Sequence, residues 1–161
     1  MNLSSTISVY GYGTSEGVQK AWDTRGRSVY HVTHTNLVGK IQKEGLRPMQ
    51  TSNWVRQGDK QRYGKGEVYA FEHPQDALRW AAKMDWEFNK QTGSGKISLL
   101  KVDPAGRTWR VDQSDPLGQA SAKGKWLKSD GGIPAKQIQD AKPFTQDLVK
   151  HLTHGGKDFK W

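Results

Sequence analysis

The chain has 161 residues, enough for one domain and too few for two well-packed ones. It has no cysteine, which excludes disulfides, thiolate chemistry and cysteine-ligated zinc, and no run approaches the ~18 apolar residues of a membrane span. A net charge of +9 with a pI near 9.8 favours acidic partners, nucleic acid or phosphate-rich ligands, and the Lys and Arg are spread along the chain rather than gathered in a basic tail.

Residues 1–27 are polar and rich in Ser, Thr and Gly, and read as a lead-in with one short helix candidate, Ser15 to Thr24. The start, MNLSSTISVYGYG, has no basic segment followed by an apolar core, so no secretory leader and a cytoplasmic location are expected. Ser28–Thr33 (SVYHVT) has strand composition. Thr35 or Asn36 is placed to cap a helix with Leu37, Val38 and Ile41 on one face, and Gly45 stands where a left-handed C-cap is expected. Residues 50–66 form a polar, basic loop of functional length.

Glu67–Phe71 (EVYAF, including Ala70) is the second strand. Pro74 opens a helix with Ala77, Trp80, Ala81, Met84 and Phe88 on one face. Lys96–Val102 is the clearest strand, followed by strands at Arg107–Asp112 and Lys125–Lys128 and an extended run ending at Phe144. Residues 28–146 thus read as one α+β domain with a twisted, mostly antiparallel sheet, and 147–161 as a C-terminal tail with a short helix. In that tail His151 and His154 lack a third metal ligand and read as solvated.

Three patterns occur in order: His31-Val32-Thr33, Gly45-Leu46-Arg47-Pro48, and Tyr69 with Trp80. A strand–helix corner between Tyr69 and Trp80 can turn the two rings toward each other, making a slot suited to an electron-poor flat ring. His31 on a strand end offers ring nitrogens to a sugar hydroxyl, the Val32 main chain can bond a carboxamide, and Thr33 can fix the imidazole or bind a second hydroxyl.

The run HVTHTNLVGKIQKEGLRP resembles the first NAD-binding strand and helix of the His-Tyr-Glu ADP-ribosyltransferases, the group of diphtheria-type toxins and poly(ADP-ribose) polymerases. GKGEVYAFEHPQDALRWA is similar to the family's second block, and together the two cover about residues 28–82. The resemblance implies an ADP-ribosyltransferase-like fold around an NAD cleft. His31 would lie on the adenine-side ribose, the Val32 main chain on the carboxamide and Arg47 near the adenosine and pyrophosphate, with Tyr69 and Trp80 stacking the nicotinamide. Thr33, Asn36, Leu46 and Ala70 belong to the same blocks. The implied partners are NAD and an acceptor, nucleic acid or protein, for a monomer that touches no membrane. The lead-in stretch SEGVQKAWDTRGR resembles linkers of phage-encoded proteins, which implies a bacterial or phage-infected cell.

The sequence departs from this pattern where the family's Glu is expected. Aligned through GKWLKSDGGIPAKQI, that position falls at or near Lys125, and no carboxylate stands between Asp115 and Asp130. A cation ~4 Å from a developing positive charge opposes it by roughly 4 kcal/mol at an effective dielectric of ~20, about a thousandfold in rate. Lys125 is therefore a candidate catalytic position with inverted charge, and Asp115, Asp130 and Glu67 are the alternative acids. Basic residues in place of the Glu also suit an RNA 2′-phosphotransferase of related fold, and a catalytically inactive NAD- or nucleic-acid-binding domain is the third reading.

Overall fold

The computed structural model describes residues 21–47, 67–113 and 116–161. Within them the chain forms β1 (Val29–His34), α1 (Val38–Glu44), β2 (Val68–Phe71), α2 (Pro74–Asn89), β3 (Ser94–Val102), β4 (Trp109–Val111), β5 (Trp126–Ser129) and β6 (Ile138–Thr145). The six strands make one sheet in the order β4-β5-β2-β1-β3-β6, with every pairing antiparallel. The α+β class expected from the sequence is observed.

Period-two alternation along the strands builds two apolar layers. Val32, Phe71, Ile97, Leu99 and Phe144 pack under α2, which supplies Ala77, Leu78, Ala81 and Met84. On the opposite face Val29, Val68, Ala70, Leu100, Val102 and Leu127 pack with Ile41 of α1, Trp22 and Trp109. β1 and β3 pair along their whole shared length, from Val29↔Val102 to His34↔Ile97. β1 and β2 meet at a single pair, Tyr30↔Phe71. Beyond it the sheet parts into two halves.

Several local features differ from the sequence reading, each for a tertiary reason. Ala21–Thr24 are not helical, because Trp22 N donates to Trp109 O (2.8 Å) and Ala21 bridges Arg110; residues 15–20 of that candidate, and the 50–66 loop, lie outside the described residues. Neither Thr35 nor Asn36 caps α1. The two form a 3-10 turn before it, and the Thr35 hydroxyl donates to Gly95 O at 2.6 Å instead. Gly45 has φ 84° but an extended ψ of 178°, so it is no left-handed cap. Glycine is required because a Cβ would come within 2.9 Å of Ala135 N, where Leu46 exchanges backbone hydrogen bonds with Ile133. The segment after Asp147 is no loose tail. Phe159 is buried, its N–H donating to Gln75 Oε1 (2.7 Å), and Trp161 lies on Tyr30 and donates to Asp140.

Candidate functional site

Where β1 and β2 part, a cavity of about 320 Å³ opens between the two layers. That volume is at the lower end of the roughly 300–1,000 Å³ of small-molecule sites. Its lining includes His31, Val32 and Thr33 of β1, Leu46 and Arg47 after α1, Tyr69 and Ala70 of β2, and Trp80 of α2. Asn36 and Lys125 are not part of it; both are exposed. The opening exists because one backbone pair joins the strands here, leaving side chains to bridge the gap.

His31 makes that bridge. Its Nδ1 lies 2.6 Å from the Tyr69 carbonyl oxygen. A carbonyl only accepts, so Nδ1 carries the proton and donates, leaving the Nε2 lone pair as an acceptor. Burial pushes the imidazole below its usual pKa, and the hydrogen bond to Tyr69 only partly opposes this. The ring is therefore neutral at neutral pH.

One wall is aromatic. Trp80 meets Trp126 edge-to-face at 5.5 Å and Phe71 at 6.0 Å, and Lys83 Nζ lies 4.9 Å over its ring. Trp126 was not among the residues the sequence pointed to. It lines the cavity, and its indole N–H is the one buried side-chain polar atom among the described residues without a hydrogen-bond partner. Lys125, one residue earlier, faces away: a slip of one residue along a strand exchanges the two faces. Its backbone is clamped to Glu72, Lys125 N donating to Glu72 Oε1 and Glu72 N to Lys125 O, each at 2.9 Å. The strand that the resemblance would furnish with a carboxylate thus presents an indole to the cavity.

Carboxylates reach the cavity from elsewhere. Glu67, Asp112 and Glu44 line it. Glu67 Oε1 accepts from the Tyr69 hydroxyl (2.9 Å), and Oε2 pairs with Arg110 Nη2 (3.3 Å) and Lys128 Nζ (3.9 Å). Tyr69, Lys128 and Arg110 are successive cross-strand neighbours on β2, β5 and β4. Glu67, two residues before Tyr69, continues that face, a spacing from which the contact was legible in the sequence. Asp130, another candidate acid, is exposed and bound to Arg110 at 2.8 Å. Asp115 lies outside the described residues. Arg47 is exposed at the rim, 3.7 Å from Glu44. Among the described residues no cluster of three or more His, Asp or Glu could hold a metal ion, and no helix is long and apolar enough to cross a membrane. Comparison with protein-family models and with curated proteins returns no match for the chain.

Proposed function

We propose that this protein is an NAD-dependent ADP-ribosyltransferase that modifies a macromolecular acceptor, nucleic acid or protein. The observation that carries the reading is His31. A neutral imidazole, its proton fixed on Nδ1 by Tyr69 O, leaves Nε2 as an acceptor in a cavity walled by Trp80, Phe71 and Trp126. The donor set suits NAD: an acceptor nitrogen for a ribose hydroxyl, aromatic surface for the pyridinium, an unmatched indole N–H for an oxygen, and Arg47 at the rim for the pyrophosphate. Bound NAD supplies an anomeric carbon whose bond to the ring nitrogen breaks with its electron pair, so that nicotinamide leaves and an acceptor oxygen or nitrogen bonds there and gives up its proton.

The chain's residues position and polarise. His31 holds a ribose hydroxyl, while Trp80 and Tyr69 orient the ring and exclude water. Glu67, oriented by Tyr69, Arg110 and Lys128, is the carboxylate that takes the part of the missing Glu, since four lone-pair sites leave it able to accept from a hydroxyl. The phosphotransferase reading draws on Lys125, Arg47 and the high pI; of these Arg47 lines the cavity and Lys125 stands outside its lining.

Nicotinamide release from NAD by the full chain, with and without DNA, RNA or protein acceptors, tests this. Release that falls at least a hundredfold in His31→Ala is expected. NAD binding without release under any condition would mark an inactive binding domain, and neither binding nor release would end the reading.

A further inference from the structure

We propose that the outward face of α2, with a second cavity at its N-terminal half, binds single-stranded nucleic acid and presents it to the main cleft as the acceptor. This deepens the transferase reading by choosing one acceptor class. Arg79, Lys83 and Trp86 follow one another at intervals of four and three, which at 100° per residue keeps them within an arc of about 60°, and Lys90 caps the C-terminal end of the same helix. All four are exposed, Trp86 at 56%. The line runs about 16 Å along the helix. Charge with an interleaved aromatic is the pattern that tracks a phosphate backbone while stacking a base. An indole on a solvent face adds nothing to the core, and it stacks on an unpaired base but not on one inside a duplex.

Two further observations fit. Lys90 has φ 52°, the only positive φ outside glycine among the described residues. Gly or Asn is usual at such a helix end, so a strained position here carries a cation one turn beyond Trp86. The second cavity, about 170 Å³, is lined by Asp76, Arg79, Trp80, Lys83, Ser121 and Trp126 among others. It shares Trp80 and Trp126 with the main cleft, so a strand held on Arg79 and Lys83 lies next to the aromatic wall. Asp76 is buried and held by the Lys123 and Gly124 amides, and its charge is offset by Arg79, whose Nη1 lies 3.9 Å from its Oδ1. Arg79 donates to Ser121 O (3.0 Å) and keeps other N–H groups for a ligand. Of the three acids on α2, Asp76 and Asp85 are buried and Glu87 is exposed.

The test is fluorescence anisotropy of the full chain with labelled mixed-sequence single-stranded DNA and RNA oligonucleotides over a salt series, beside duplex of the same sequence. Single strands should bind more tightly than duplex. Arg79→Gln with Lys83→Gln should weaken binding at least tenfold and lower the salt slope by one to two. Trp86→Ala should weaken binding about tenfold without changing the slope. Trp86→Ala is a surface change, so its melting temperature and its response to NAD should be those of the wild type; the double variant, whose Lys83 lies over Trp80 and whose Arg79 pairs with Asp76, is compared below its own melting transition. Loss of the NAD response with oligonucleotide binding intact would count against the cleft assignment alone. No binding at low salt, duplex bound as tightly as single strand, or binding indifferent to these substitutions would overturn the proposal and leave protein as the acceptor.

Discussion

β1, β3 and β6 form one half of the sheet and β2, β5 and β4 the other, and the halves treat polar groups differently. In the first, strands of six to nine residues bury Ile97, Leu99, Leu100, Val102 and Phe144, and the buried carboxylate at its edge has only neutral partners. Asp85 is 0% exposed and accepts from Ser94 N (2.9 Å), Ser94 Oγ (2.6 Å) and Asn89 Nδ2 (2.9 Å). In the second half the strands have only three or four residues, and Glu67 is held by two cations and a phenol at the rim of a cavity. A carboxylate closed in by neutral donors is a structural tie. One that keeps spare lone pairs beside an open cavity can serve a ligand.

The largest effect on stability is therefore expected at Asp85. Asp85→Ala orphans the part-buried donors of Ser94, Asn89 and Gly93 and should cost about 3 kcal/mol, near 10 °C in melting temperature, with NAD affinity unchanged below the transition. Burial raises this carboxyl, but the hydrogen bonds from Ser94, Asn89 and Gly93 outweigh it and hold its pKa below the ordinary Asp value. A lowered folded-state pKa gives stability that is present above the unfolded value and lost as pH falls through the folded one. The gap between wild type and variant should then narrow in melts taken well below pH 4. A gap constant from pH 7 to acid would show that the charge plays no part.

At Glu67 the balance should reverse. Glu67→Gln keeps the shape and an oxygen for Tyr69, and Arg110 keeps Asp130, so stability should fall by only about 1 kcal/mol. Nicotinamide release should drop by about a hundredfold in kcat, with KM for NAD within a few-fold. An unchanged kcat would reduce Glu67 to a strut, and the two halves would not differ in function. The smallest effect is expected at Lys125. Its fixed part is backbone, so Lys125→Glu should move stability by no more than ~0.5 kcal/mol and release by less than threefold. A gain of two or more powers of ten would return Lys125 to the cavity.

The first half was the more legible in the sequence. Its strands are long and apolar, and Lys96–Val102 announces β3 within two residues of its observed start. His31, Val32, Thr33, Tyr69 and Trp80 stood out because local motifs carry them, and they line one cavity. What escaped was decided between strands. The alignment through GKWLKSD pointed to Lys125, but only the β2–β5 register, Phe71 opposite Trp126, fixes which neighbour faces inward. The row Glu67–Tyr69–Lys128–Arg110 depends on three strands far apart in sequence. The edge-to-face contact of Trp80 with Trp126 is another pairing that only the sheet order creates. The C-terminal segment read as polar, although Leu148, Val149, Leu152, Phe159 and Trp161 pack it onto the core beside Gln75 and Tyr30.

Titration of the full chain with NAD by calorimetry, in parallel with His31→Ala and Trp80→Ala and across pH, tests the central claim most directly. The wild type should bind NAD with an affinity that falls on acidification only below the range in which an ordinary imidazole titrates, because burial holds His31 neutral below its usual pKa. Each variant should lose at least tenfold. No binding by the wild type, or variants that bind as tightly as it does, would show that the parting of β1 and β2 is not an NAD site.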